Sequence, residues 1–207
     1  MVAVLGVGGF GVVVACKNKH NSRKYALKIV QYDADHPTQD ALSLIREQKL
    51  LQTIKHPNII KVYQQKQLFH NYIVMKMELA EESLSQFISK YEERHDTRAI
   101  PEETCAKIML GLFRALQHLH DNVNMIHRDV KLENIVIGSH NNYAKVKLID
   151  FGLAVQSEQG NITDFVKCGT HLYRPPEQVS NIFSYAKVSK KKNLELSYHN
   201  NPCCTES

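Results

Sequence analysis

Three short runs rich in β-branched residues open the chain, "VAVLG" from Val2, "GVVVAC" from Gly11 and "KYALKIV" from Lys24. Gly-rich or Asn/Lys/Ser turn chemistry separates them, and that alternation of apolar run and turn predicts a meander of strands. From Thr38 to Ile54 the period becomes helical: Leu44, Gln48, Leu51 and Lys55 trace one face, on which Leu51 and Ile54 are the buried members. "HPN" at His56 to Asn58 stops this helix, because Pro57 has no amide hydrogen and restricts the residue before it.

Two further strands are predicted at "IIKVYQQ" from Ile59 and "NYIVMKME" from Asn71, after which the chain turns helical around "SLSQFISKY" from Ser83. A longer helix is expected from Pro101 to His120, where Ile108, Leu112, Ala115 and Leu119 repeat at i, i+4, i+7 and i+11. Pro101 suits its first turn. A sheet with one helix therefore precedes a mostly helical half, an α+β plan of two lobes with the hinge near Glu78 to Glu82.

Composition narrows the class without naming it. With 207 residues, 43% apolar and 23% charged, the chain can bury a real core. No apolar run approaches the ~20 residues of a membrane span. The N-terminus lacks the basic-then-apolar order of a signal peptide, so a cytoplasmic or nuclear protein is expected. The five cysteines show neither metal-ligand spacing nor a disulfide framework. The net charge of +5 is diffuse apart from Lys190 to Lys192, which argues against a nucleic-acid partner. The eleven histidines are scattered, with no H-E-x-x-H pair to suggest a zinc site.

The chemistry-bearing stretches are more specific. "LGVGGFGVVV" sets Gly6, Gly8, Gly9 and Gly11 in a turn between two strands, where missing side chains let backbone amides approach a phosphate. By itself such a turn is more often a plain hairpin; no helix follows it, as a dinucleotide fold would need, and no Gly-Lys-Ser/Thr, as a P-loop would. Lys28 in "YALKIV" is a lysine in a strand that should be buried, so it needs an anion, either a bound phosphate or Glu47 on the next helix, unless the strand is an exposed edge. "MIHRDVKLENIVIG" from Met125 crowds a histidine, an arginine, aspartate Asp129, Lys131 and Asn134 into a loop between apolar segments, and "KLIDFGLA" adds Asp150. Asp129, Asn134 and Asp150 supply the base and hard oxygen ligands that a metal-phosphate site requires.

These residues, in this order, resemble the eukaryotic protein kinases of serine/threonine type: the Gly-rich loop, Lys28, Glu47, His-Arg-Asp at His127 to Asp129, Asp-Phe-Gly at Asp150 to Gly152, and "PPE" at Pro175 to Glu177. The resemblance implies a two-lobe kinase-like domain over residues 1–178, with a small lobe over about 1–78, a partial large lobe over about 83–178, and a polar tail at 179–207. It implies ATP and magnesium as cofactors and a protein substrate bearing serine or threonine. Leu5, Gly6, Val7, Gly8, Gly9, Phe10 and Gly11 would then bind ATP, with Gly6 to Gly11 covering its phosphates, while Lys28 holds the α- and β-phosphates and pairs with Glu47. Asn134 and Asp150 would hold magnesium, and Asp129 would accept the substrate proton, with Lys131 near the transferred group and Thr170 bonded to the loop. Val13 and Ala26 would press on one face of adenine and Val136 on the other. Either Met77 or Met75 would be the gatekeeper; with Met77, Glu78 and Ala80 provide the hinge's backbone hydrogen bonds. Leu51, Val62, His127 and Phe151 match the side-chain stack that joins the lobes in active kinases.

The sequence also departs from the family. Where an activation-loop phosphate often neutralises the His-Arg-Asp arginine, the chain has Val166, so either Thr163 is phosphorylated or Asp164 makes a phosphate unnecessary. After Gln178 the family's apolar helix with its tryptophan-containing motif, which anchors the loop of the catalytic aspartate, is not found, and the tail reads as mostly disordered. A kinase-like module that binds nucleotide or a partner but transfers little phosphate is therefore the alternative to an active kinase.

Overall fold

The computed structural model of the chain describes residues 2–8, 11–33, 35–69, 71–97, 99–138, 143–156 and 168–174. The predicted "PPE", Thr163, Asp164, Val166, Gly9, Phe10 and the 179–207 tail lie outside the described residues.

The meander is a five-stranded antiparallel sheet of β1 (Val2–Gly8), β2 (Gly11–Lys17), β3 (Lys24–Gln31), β4 (Val62–Phe69) and β5 (Tyr72–Glu78), in the order β1-β2-β3-β5-β4. One helix, α1 (Gln39–Thr53), crosses between β3 and β4. Its start is set by Thr38, whose hydroxyl accepts the Ala41 amide at 3.2 Å, with Asp40 in the positive first turn. Its buried face comprises Ala41, Leu44, Glu47, Gln48 and Leu51, which makes Glu47 a buried carboxylate rather than a solvated one.

The β4 ladder begins at Val62, later than the apolar pattern predicts, and runs to Phe69. The residues ahead of it do a different job. Ile59 bridges Leu148 alone, the Ile60 amide donates to the Leu148 carbonyl at 3.0 Å, and the Leu148 amide donates to the Asn58 carbonyl at 2.9 Å. Ile59 and Ile60 are apolar because they are buried between the small sheet and the second half of the chain, outside the ladder.

In that second half, β6 (Glu82–Ser83), α2 (Leu84–His95) and α3 (Glu102–Gln117) are followed by the short strands β7 (Met125–Ile126), β8 (Ile135–Ile137), β9 (Val146–Leu148) and β10 (Val155–Gln156). Ser83 and Gln86 close a capping box on α2. The expected helix from Pro101 to His120 is shorter: Pro101 is the residue before it, and regular α-helix stops at Gln117. His118–Val123 form a wider turn that Asn124 ends at φ 53°, a left-handed conformation that Asn tolerates. Leu119 stays buried through this turn, so the apolar spacing predicts the buried face correctly while missing the change of helix type. No helix among the described residues is long and apolar enough to cross a membrane.

Helix α3 lies close on β9 at Gly111. A Cβ there would stand 2.6 Å from Val146 Cγ2 and 2.9 Å from Nδ2 of Asn58, which itself donates to the carbonyls of Val146 at 2.8 Å and Ala144 at 3.2 Å. Gly111→Ala gains about 1 kcal/mol of helix propensity. It costs about 1–3 kcal/mol through overpacking and the disturbed Asn58 bonds, so a lower Tm is expected. Gln48 makes the opposite test. It is 1% exposed and neither amide atom has a hydrogen-bond partner. Because an unpaired buried amide costs about 1–3 kcal/mol, Gln48→Met should raise Tm in thermal denaturation. A fall would show that the amide is satisfied by water.

Candidate active site

The strands β7 and β8 flank the loop that carries Asp129, so three polar side chains emerge from one strand-loop-strand unit. Asp129 is 7% exposed and each of its oxygens is engaged. Oδ1 accepts the Thr170 amide and the Thr170 hydroxyl, both at 2.8 Å. Oδ2 accepts Asn134 Nδ2 at 2.9 Å and lies 2.9 Å from Lys131 Nζ. Asn134 Nδ2 also reaches the Asp129 carbonyl at 2.8 Å, and Lys131 Nζ donates to Thr170 Oγ1 at 2.7 Å. The aspartate is thus held from its own loop and from a segment 41 residues further on.

That segment approaches closely because of Gly169. At φ +83° it is in a glycine conformation, and a Cβ would meet the Arg128 carbonyl oxygen at 2.5 Å. Arg174 fixes the turn from outside, donating to the Gly169 carbonyl from Nε at 3.0 Å and from a terminal nitrogen at 2.8 Å. Arg128 takes φ +66° and its Nε donates to the Leu153 carbonyl at 2.6 Å.

Burial alone would raise the Asp129 pKa, but the hydrogen bonds from Lys131 and Thr170 outweigh it and bring the carboxyl below its ordinary value. Burial dominates at His127, which is lowered and therefore neutral at pH 7. Its Nδ1 accepts the Asp129 amide at 3.3 Å, so Nε2 carries the hydrogen and donates to the Ile149 carbonyl at 2.9 Å. The ring meets Phe151 edge-on at 4.8 Å between centroids. Leu51, Val62, His127 and Phe151 are all buried.

The second cluster centres on Lys28. Its Nζ lies 2.8 Å from Glu47 Oε2 and 3.3 Å from Asp150 Oδ1. Burial opposes the ammonium charge, but the two carboxylates outweigh it and its pKa is raised. Burial pushes Glu47 upward too, offset in part by Lys28 and by the Phe151 amide, which donates to Glu47 Oε1 at 2.9 Å. Nothing in the sequence singles out that last bond, since it joins a side chain to a backbone group 104 positions away.

Of the apolar residues assigned to an adenine slot, Val13 and Ala26 lie on the sheet that carries Lys28, and Val136 lies on β8. Val13 pairs Lys28 across β2 and β3, and Ala26 pairs Met77 across β3 and β5. Ala26 and Val136 are buried, and Val13 and Met77 are half-buried. Met75 pairs Lys28 and is 1% exposed within the core cluster. Glu78 and Ala80 are half-buried beyond β5. The Glu78 side chain accepts the Lys61 amide at 2.6 Å and lies 2.9 Å from Lys147 Nζ, a role the sequence does not signal. In the glycine hairpin Leu5 and Val7 are exposed, and β1 and β2 close with Gly8 opposite Gly11. A Cβ at Gly11, φ +105°, would meet the Ile29 carbonyl at 2.3 Å, so this glycine is required by packing on β3. Gly6 has open space around it.

For magnesium, the donor set fits. Asn134 spends its amide nitrogen on Asp129, which leaves its carbonyl oxygen, and Asp150 presents a carboxylate, both hard oxygen donors. No group of three or more His, Cys, Asp or Glu that could hold a metal occurs among the described residues.

A family model described as "Protein kinase domain" matches residues 1–193. Calcium-dependent protein kinase 4 of Plasmodium berghei is 31% identical over 182 residues, covering 85% of this chain and 32% of that protein. Serine/threonine-protein kinase PLK4 of Drosophila persimilis is 29% identical over 179 residues, 86% of this chain and 22% of that one. The membrane-associated tyrosine- and threonine-specific cdc2-inhibitory kinase of Drosophila melanogaster is 32% identical over 187 residues, 89% of this chain and 33% of its own length. The chain spans a third or less of the length of these relatives.

The Asp129 cluster predicts a titration. Thr170→Val removes the hydroxyl bond that lowers the Asp129 pKa, so the carboxylate should titrate at higher pH than in the parent chain, read by carboxyl carbon NMR. The sign for stability follows. The lowered group stabilises the fold above its unfolded value, and that contribution is lost as pH falls through the folded value. The variant should gain less stability on raising pH from acid to neutral. An unchanged titration would mean that Thr170 only packs against the loop.

Proposed function

The chain belongs to the protein kinase family, and from that premise we propose that it transfers the γ-phosphoryl group of ATP to a serine or threonine hydroxyl of a protein substrate, with Asp129 as the base. The observation that carries this reading is convergence: Lys28, Glu47, Asp129, Lys131 and Asp150 all line one cavity of about 150 Å³. The serine/threonine choice is supported by the relative PLK4, named a serine/threonine-protein kinase, and by Lys131 bonded to Thr170 beside Asp129.

The surroundings of each residue support the part assigned to it. Lys28, aimed by Glu47, presents a fixed ammonium to the α- and β-phosphates. The backbone of Gly6 to Gly11 covers those phosphates, while Val13, Ala26 and Val136 make an apolar slot for a flat ring. Met77 is the better gatekeeper, because Met75 is committed to the core. Glu78 and Ala80 then supply the backbone bonds. Asn134 and Asp150 would hold magnesium, which when bound neutralises charge building on the phosphoryl oxygens. Asp129 has a lowered pKa and so is a weak base. It chiefly orients the acceptor hydroxyl and takes its proton late, as suits a transition state with little bond formation to the nucleophile. Lys131 shields the approaching oxygen from Asp129's charge and offers a cation to the transferred group.

Radiolabelled transfer from ATP to a mixed peptide library, with acid hydrolysis to identify the labelled residue, tests this directly. Asp129→Asn should lower the rate by about 10²–10⁴ while nucleotide still raises Tm. Lys28→Met should lose both. Equal labelling by the parent and Asp129→Asn overturns the assignment. Nucleotide binding by a parent chain that transfers nothing would instead support the binding-module reading.

A further inference from the structure

Helix α1 touches the turn that presents Asp150 at two points, one helical turn apart. Glu47 Oε1 accepts the Phe151 amide at 2.9 Å, and four residues earlier Ser43 Oγ lies 3.2 Å from the Gly152 carbonyl oxygen. A serine inside a helix ordinarily returns its hydroxyl to the carbonyl four residues back, or gives it to water. Ser43 is half-buried, lines the same cavity as Lys28 and Asp129, and directs its hydroxyl out of the helix. The two contacts are complementary, because the turn's amide is met by an acceptor and its carbonyl by a donor.

The turn needs such restraint. Asp150 is at φ +62°, a left-handed conformation that costs a non-glycine residue roughly 1–3 kcal/mol unless the surroundings hold it. A Cβ on Gly152 would stand 3.4 Å from Ser43 Oγ and 3.5 Å from Asp150 Oδ1, so the helix and the turn are already in contact there. Glu47 serves Lys28 as well as the turn, whereas the Gly152 carbonyl is the one side-chain hydrogen bond of Ser43 among the described residues.

We propose that Ser43 is a positioning residue for phosphoryl transfer, the second jaw of a clamp by which α1 sets the orientation of Asp150. The proposal rests on the reading of Asp150 as the residue that holds magnesium. Movement of α1 away from the turn breaks both jaws together, so the Lys28–Glu47 pair and the metal-holding carboxylate are lost in one step.

Ser43→Ala and Ser43→Thr in the full chain test it with two readouts. In amide hydrogen exchange without nucleotide, Ser43→Ala should speed exchange of the Phe151 amide about fivefold, the effect of losing one hydrogen bond of ordinary strength. In transfer assays it should raise the magnesium concentration for half-maximal rate and lower kcat, both severalfold, with the peptide KM unchanged. Ser43→Thr, which keeps the hydroxyl, should restore both. Unchanged exchange and magnesium dependence in Ser43→Ala overturn the proposal. So does a threonine variant as impaired as the alanine one, since the helix rather than the hydroxyl would then be responsible. If the parent chain transfers no phosphate, the catalytic reading fails alone, and the exchange result decides the clamp.

Discussion

The Glu47 carboxylate is the constraint on which the site depends, because its two oxygens join three separate parts of the chain. Oε2 takes Lys28 from β3, Oε1 takes the Phe151 amide, and the carboxylate itself belongs to α1. A carboxylate and an ammonium taken out of water cost several kcal/mol each, so such a pair is weak support for stability. Its value lies in the penalty for breaking it. A helix shifted by a few ångströms would strand one buried charge without its partner, which penalises displacement of α1.

A second network behaves in the same way. Asp129 is gripped by Asn134 from its own loop and by Thr170 from the segment after it, with Lys131 touching both. The grip on the backbone is as important. His127 takes the Asp129 amide with one ring nitrogen and gives its other to the Ile149 carbonyl, next to Asp150. The neutral imidazole therefore links the loop of Asp129 to the turn of Asp150. His127 also packs on Phe151, whose amide is held by Glu47, so the two networks share one buried junction.

Much of this was legible in the sequence, and the reasons differ by residue. Lys28 stands out because a cation in an apolar strand needs an anion, and Glu47 because it lies on the next helix, one turn before Leu51. Both are inferences about burial, which periodicity reports well. The start of β4 was misjudged because Ile59 and Ile60 are as apolar as strand residues, yet are buried in the junction with Leu148. The wide turn after α3 escaped notice because its buried residue, Leu119, keeps helical spacing. Asn58, Ser43 and the Glu78 side chain were invisible for another reason. Their partners are backbone carbonyls, amides or distant lysines, and a backbone group has no residue type for a sequence to display.

The charge on the cavity wall carries the last step. Among the described residues, Asp40, Glu47, Asp129 and Asp150 line it, against Lys28 and Lys131. Each lysine is already in contact with carboxylates, at 2.8 and 3.3 Å for Lys28 and 2.9 Å for Lys131. Acidic groups thus exceed basic ones where a polyanionic nucleotide would have to sit. In a partly desolvated cavity, like charges a few ångströms apart repel by several kcal/mol at an effective dielectric of ~20. On the proposed function, divalent charge is a condition of nucleotide binding and not only of transfer. On that reading the acidic excess would disfavour a bare polyanion and favour its metal complex.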